Sequence, residues 1–304
     1  MMLSKVRKAI RNPTKAREHL MKKPFIFIDK YLNYGTNIFE REWDLLIVLD
    51  ACRYDLFAEF CPQHSVHDLL DSTEAVYSIA SQTPDWLRRT FNRVDDHQLS
   101  QTLFIAGNGW MKKYEPDELQ VEHTWRIDTH PEGQVTPPEI VTNEAIRNFR
   151  TTNVERYIVH YLQPHAPFLH CVGKYNSAAG DYKGKTMNVW KGLRDGKFEK
   201  SEIWEDYGEN LLLVLDNVEK LIKNFDGRVA ITSDHGNAMG KYGLYGHPGR
   251  EAAPSIRRVP WAVATGLGLD NYELKDKEEL RTKDEDEDTD LELEQHLKNL
   301  GYKT

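Results

Sequence analysis

Two short apolar runs in this chain end in residues that bind metal ions. The first, Asp44-Leu-Leu-Ile-Val-Leu-Asp50, stops abruptly at a carboxylate. The second, Arg228-Val-Ala-Ile-Thr-Ser-Asp234-His235-Gly236, ends in an adjacent carboxylate and imidazole. Runs this short and β-branched predict strands buried on both faces, as in a parallel sheet. Open α/β sheets bind their ligands beyond the carboxyl ends of such strands. If the two strands share a sheet, Asp50, Asp234 and His235 converge at one edge. Two carboxylates and an imidazole suit zinc or manganese better than calcium, which prefers an all-oxygen shell; calcium and magnesium are the other candidates. Taken singly, Asp50 reads equally well as a cap on the next helix and Asp234-His235 as a turn. Together, in this order, they point to a divalent metal.

Further histidines are held on rigid loops. His165 lies between Pro164 and Pro167, and His247 sits in Gly246-His247-Pro248-Gly249. Each suits a general acid or a second metal ligand, against the alternative of a hydrogen-bonded surface residue. His160 falls mid-strand and reads as structural, and His123, His130 and His170 as surface residues.

The elements that must position these groups alternate between strand and helix, which predicts an α/β fold. Strands are expected at Leu45–Leu49, Thr102–Ala106, Arg156–Leu162 and Val229–Thr232. A last short strand, Val259–Val263, carries Pro260, which suggests an edge or strand-start position. Helices are expected from Pro84, from Pro137-Pro138, and over Trp204–Phe225, whose Leu211, Val214, Leu215, Val218 and Ile222 form a stripe. Pro84 at a first helical position makes Thr83 the expected N-cap. The stretch up to Val76 shows no regular pattern, and residues 170–200 read as an excursion over the site.

At this point the sequence resembles a family. Asp50-Ala-Cys-Arg53-Tyr-Asp55 resembles the opening D-x-x-R-x-D of sulfatase-like members of the alkaline phosphatase superfamily. Ser233-Asp234-His235-Gly236 is similar to that superfamily's S-D-H-G metal motif, Pro164-His165-Ala-Pro167-Phe168 to the sulfatase P-H-x-P-F element, and Gln295–Tyr302 to the Q-L-x-x-L-G-Y ending. The resemblance implies a central, mostly parallel sheet sandwiched by helices, with metal ligands at its carboxyl edge. It also implies a nucleophile on the metal after the first Asp. The family's S-x-T-x-P variant aligns with Ser81-Gln82-Thr83-Pro84-Asp85, favouring Thr83 over Ser81. An N-cap oxygen at the positive end of a helix also favours a deprotonated hydroxyl. No C-x-P-S-R occurs, so a formylglycine sulfatase is not expected, and Cys52 is too close to Asp50 to be the nucleophile. His247 stands where sulfatases usually carry Lys, and Asp234-His235 where they carry Asp-Asn. Arg53 and Asn108 are candidate oxyanion contacts, Arg53 being equally an ion-pair partner for Asp55.

The reading is therefore a metal-dependent hydrolase or transferase of phosphate or sulfate esters, phosphoesters preferred, through a covalent Thr83 or Ser81 ester. The alternatives are an inactive membrane-surface binding protein on the same scaffold and a phosphomutase. The substrate is expected to be bulky, a glycan or a lipid-linked ester.

Composition sets the remaining bounds. The chain has 304 residues, 39% hydrophobic, with net charge -8, enough for a real core and unlike a nucleic-acid binder. Residues 1–30 form a basic arm, 31–270 the catalytic domain, and 271–304 an acidic linker with a short helix, Leu291–Leu300. Residues 1–23 read as a basic amphipathic helix, either merely solvated or touching an anionic membrane surface. Three cysteines make no disulfide framework, so a cytoplasmic location is expected, with peripheral contact at the inner membrane face.

Overall fold

This computed structural model describes residues 23–32, 34–126, 135–175 and 189–276, with 293, 294 and 297. Nine strands are placed among them: β1 (Leu45–Leu49), β2 (Leu70–Tyr77), β3 (Thr102–Ala106), β4 (Gln120–His123), β5 (Arg156–Tyr161), β6 (Arg228–Thr232), β7 (Ala238–Met239), β8 (Tyr245–Gly246) and β9 (Arg258–Thr265). Seven form one sheet in the order β2-β9-β6-β1-β5-β3-β4. The five strands from β6 to β4 run parallel, and β9 runs antiparallel to both of its neighbours. The strand ending in Asp50 thus lies between the one leading to Asp234 and the one leading to His165. Val48 pairs with Thr232. Continuing that register two residues sets Asp50 opposite Asp234.

Period-two alternation sorts the side chains of β1 into two cores. Leu45, Ile47 and Leu49 face one layer of helices: α1 (Tyr54–Phe60), α3 (Pro138–Thr151) and α4 (Lys200–Asn224). Leu46 and Val48 face the other, where α2 (Thr83–Phe91) contributes Trp86, Leu87 and Phe91. Asp50 continues the second series, which is why it meets the N-terminus of α2. All five residues of β1 are buried, as its sequence requires.

The structure departs from the sequence expectations where packing overrides pattern. β2 pairs along β9, but four of its central side chains are exposed and polar, so nothing apolar announced it. β4 is a sheet edge with no fully buried residue but Leu119 before it. β9 is internal rather than an edge. Pro260 fits because the β6 ladder ends at Ile231–Ala262, leaving no bond for the missing N–H. Helix α4 starts at Lys200, a turn earlier than its apolar stripe. The N-cap of α2 is Gln82, with Thr83 the first helical residue. The basic helix over 1–23 lies outside the described residues but for Lys23, as does most of the expected C-terminal helix.

A helix over residues 23–31 is fastened to this body. Asp29 is buried between Arg89, at 2.8 and 2.9 Å, and Arg257, at 2.7 Å. Arg257 is itself fully buried and also donates to Ser78 O and Tyr34 O. Near the other terminus, Leu293 and Leu297 are buried against Trp125 and Trp110.

Helix α4 meets α1 closely at Gly208. A Cβ there would lie 2.1 Å from Phe60 Cε1. Overpacking of this kind costs about 1–3 kcal/mol, against a helix-propensity gain of about 1 kcal/mol. Gly208→Ala is therefore expected to lower the unfolding free energy in a urea titration. An unchanged midpoint would show that the Phe60 ring moves aside freely.

Candidate metal and catalytic site

Beyond β1 the chain turns sharply. Ala51 has φ 63, a left-handed conformation unfavourable for a residue with a Cβ. Three contacts hold it there. Its N–H donates to Asp234 Oδ1 at 3.0 Å, the Tyr207 hydroxyl donates to its carbonyl, and Asp50 N–H donates to Tyr161 O at 3.1 Å. The turn fixes the direction of the Asp50 carboxylate. Asn108, beyond the end of β3, donates to Asp50 Oδ2 at 2.7 Å. Asp50 Oδ1 is buried and accepts no hydrogen bond.

Asp234 is equally constrained. Its Oδ1 also accepts from His235 N–H at 2.8 Å, and its carbonyl accepts from the Ser78 hydroxyl. The remaining oxygen, Oδ2, accepts from Thr83 Oγ1 at 2.8 Å. Thr83 Oγ1 lies 3.3 Å from His235 Nε2. His235 Nδ1 lies 3.2 Å from the Gly236 carbonyl. A carbonyl only accepts, so Nδ1 carries the proton and Nε2 turns a lone pair into the site. Asp50, Asp234 and His235 each offer a ligand atom, all within 4.8 Å of one another.

A histidine group adjoins this cluster. His165 Nδ1 bonds the Ala166 carbonyl, and its Nε2 lies 3.1 Å from His247 Nε2. The His247 ring stacks on His235 with centroids 4.4 Å apart. His160 approaches Asp50 Oδ2 to 4.0 Å. Burial holds all four imidazoles below their ordinary range, His235 down to about 3, with neighbouring histidines adding to the effect at His235 and His247. They are neutral at physiological pH, and across the His165–His247 contact one Nε2 carries the shared proton. Burial and then the adjacent Asp234 carboxylate push Asp50 well above the ordinary carboxylate range.

The other expected residues fall elsewhere. The Ser81 hydroxyl donates to Pro248 O at 3.0 Å and accepts from Glu251 N–H at 3.2 Å, bracing the loop after His247. Arg53 takes the ion-pair alternative: it binds Asp55 through two nitrogens and donates to Asn237 O at 2.9 Å. Asn108 faces Asp50 and accepts from Trp110 N–H. Cys52 is buried, and burial raises its thiol well above the ordinary range. Sequence reasoning missed His160, Ser78 and Tyr207. His160 was legible once strands β1 and β5 were paired, because it aligns with Val48 and so faces the Asp50 side.

The donor set fits a divalent cation. A buried carboxylate oxygen without a donor, beside a second carboxylate, is costly unless a positive charge is shared between them. The two acids and one imidazole match the ligands of zinc or manganese.

No protein-family profile and no curated protein matches the chain. Solved structures do. The soluble domain of lipooligosaccharide phosphoethanolamine transferase A from Neisseria meningitidis superposes with a TM-score of 0.52 at 13% identity, covering 84% of this chain and 86% of that one. The fold is the sulfatase-like fold of the alkaline phosphatase superfamily. The integral membrane form of the same transferase matches with a TM-score of 0.52 at 14% identity, and there the match covers 79% of this chain but 51% of the other. A 2-O GAG sulfatase matches at 0.51 and 11% identity, covering 74% of this chain and 64% of that one. The expected cytoplasmic location, with contact at the inner membrane face, is corrected by these neighbours, one of which is the soluble domain of an integral membrane protein. Free cysteines exclude a disulfide framework; they do not name a compartment.

The two facing carboxylates carry a stability consequence. Asp50 binds its proton more tightly folded than unfolded. In the metal-free protein, stability therefore falls as pH rises from about 4 through the raised pKa. Asp50→Asn is expected to raise the melting temperature of the chelator-treated protein at pH 7 by a few degrees, about 1 kcal/mol or more. It should also abolish the stabilisation that zinc gives the wild type. A variant melting below the wild type without metal would contradict this account.

Proposed function

We propose that the chain is a metal-dependent enzyme that removes or transfers a phosphoryl or sulfuryl group, by way of a covalent ester on Thr83. The observation that carries this reading is the Thr83 hydroxyl, 2.8 Å from Asp234 Oδ2 and 3.3 Å from His235 Nε2, beside the orphaned Asp50 oxygen. Asp50, Asp234, His235 and Thr83 would hold one divalent ion, with zinc or manganese favoured. When bound, such an ion lowers the pKa of a coordinated hydroxyl and offsets charge on the transferring group.

The chain's own residues supply the rest. Thr83 begins α2, so the positive end of a nine-residue helix faces the anionic ester. Thr83 Oγ1 gives up its proton, by way of solvent, to the neutral His165–His247 pair and attacks phosphorus or sulfur, and the bond to the alcohol oxygen opposite breaks. The His165–His247 pair lies beside the acids, and His247, charged by that proton, returns it to the departing alkoxide. Water or a second alcohol then attacks the Thr83 ester, and the group leaves Thr83 with its hydroxyl restored. His165 and His247 also have the spacing to share a second ion.

Asp-His in place of the Asp-Asn of sulfatases supports phosphoesters. A neighbour named for phosphoethanolamine transfer to lipooligosaccharide supports the same donor chemistry and a glycan or lipid-linked acceptor. The catalytic domain is taken as residues 31–270, with 1–30 and 271–304 flanking it.

Removal of a nucleophile lowers turnover by roughly a thousandfold or more. Thr83→Ala is expected to do so while still binding one equivalent of zinc by calorimetry, whereas Ser81→Ala stays within roughly threefold of the wild type. The rates are compared on aryl phosphate, phosphodiester and sulfate. Full activity in Thr83→Ala would sink the covalent route, and a rate highest on the sulfate would reverse the phosphoester preference.

A further inference from the structure

The helix over residues 23–31 has two unlike faces. At 100° per residue, Phe25, Ile28 and Asp29 point one way, and Lys23, Ile26, Phe27, Lys30 and Tyr31 fall on the other. The first face is committed to the protein. Asp29 is buried between two arginines, and Phe25 packs on Tyr242 with ring centroids 5.1 Å apart. The second face is open. Ile26, Phe27, Tyr31 and Leu32, just after the helix, are 39%, 59%, 60% and 65% exposed. Elsewhere among the described residues only Tyr77, Leu267 and Leu269 are large apolar side chains of comparable exposure. Phe27 and Tyr31 are in ring contact, and the Lys30 ammonium lies over Tyr31.

We propose that this face docks the protein on an anionic lipid bilayer, with Ile26, Phe27, Tyr31 and Leu32 entering the headgroup boundary. Charge decides for a lipid surface over a second copy of the chain. Lys23 and Lys30 share the exposed face. The 22 residues preceding it carry Lys5, Arg7, Lys8, Arg11, Lys15, Arg17 and Lys22 against one acid, Glu18, in a chain of net charge -8. Another copy of an acidic protein would bring the same cations face to face. Aromatic and aliphatic side chains beside lysines are the composition of helices that lie in a membrane interface, and basic residues add attraction to anionic headgroups.

The bracing of the helix ties docking to the site. Arg89, which holds Asp29, belongs to the helix that Thr83 begins. Arg257, which also holds it, donates to Ser78 O, and the Ser78 hydroxyl donates to Asp234 O. Tyr242, under Phe25, lies in the loop leading to His247. A bilayer bound at this face would therefore present lipid-held esters to the site at a fixed distance and angle. This last step rests on the ester chemistry proposed above; the docking does not.

The test is co-sedimentation of the full chain with two kinds of vesicle, one of phosphatidylcholine and one of equal parts phosphatidylcholine and phosphatidylglycerol. Wild type is expected to bind the anionic vesicles and leave the neutral ones largely free. The variant combining Phe27→Ser, Tyr31→Ser and Leu32→Ser changes only exposed side chains. It is expected to lose about tenfold or more in vesicle affinity while keeping its melting temperature and its turnover of a water-soluble ester. Asp234→Asn should bind vesicles as the wild type does, which separates failure of docking from failure of the chemistry. Equal binding by the triple variant would overturn the proposal. So would absence of wild-type binding, or a wild-type dimer in sedimentation velocity that the triple variant dissolves, since a second copy would then be the occupant.

Discussion

Everything near the active edge answers to one electrostatic constraint: two carboxylates, Asp50 and Asp234, are buried side by side at the ends of adjacent parallel strands. Left to themselves they repel, and one retains its proton. The surroundings do not relieve that repulsion with a resident cation. No lysine or arginine reaches either acid among the interactions described; their partners are neutral donors, from Asn108, Thr83 and the backbone. These donors orient the oxygens without neutralising them. The arrangement is strained as it stands and becomes favourable when an ion supplies the charge. Metal affinity and metal-free stability are thus opposed in the same pair of side chains.

The second layer keeps that opposition from being relaxed by movement. Ala51 is held in a left-handed turn from both sides, its N–H by Asp234 and its carbonyl by Tyr207. Tyr207 belongs to the 25-residue helix that covers the sheet, so the turn is tied to the largest packed element of the fold. Asp234 is pinned through its own carbonyl by Ser78, which belongs to the segment leading into Thr83. The acids, the hydroxyl and the imidazole are therefore parts of one braced unit.

Much of this was legible in the sequence because it follows from short-range rules. An apolar run closed by Asp50 has few structural solutions, and Asp234-His235 repeats it. What the sequence could not show depended on strand order. β2 carries Asp71, Ser72, Thr73 and Glu74 and owes its pairing to β9, so no local signal marked it. Pro260 argued for an edge strand or a strand start; its strand is internal, but it sits near that strand's start and just past the end of the β6 ladder, where its missing N–H costs nothing. His160 looked like any mid-strand residue until its partner strand was known. The sequence favoured Thr83 over Ser81 as a helix opener, but only the fold separates their partners: Thr83 meets Asp234, while Ser81 binds Pro248 O and Glu251 N–H. The expected compartment failed for another reason: cysteine usage constrains redox chemistry, and this site contains none.

The hydrogen bond from Ala51 N–H to Asp234 joins residues 183 positions apart. Contacts that close so long a loop form late, after most of the chain has already collapsed. The ion-binding set therefore has no local precursor: the half contributed by β1 waits for β6, and β6 docks only when the intervening helices and strands are in place. Metal capture by this protein is then an end-point signal of folding, and a nascent chain emerging in order offers a competing chelator only isolated carboxylates until the segment carrying Asp234 and His235 has been made.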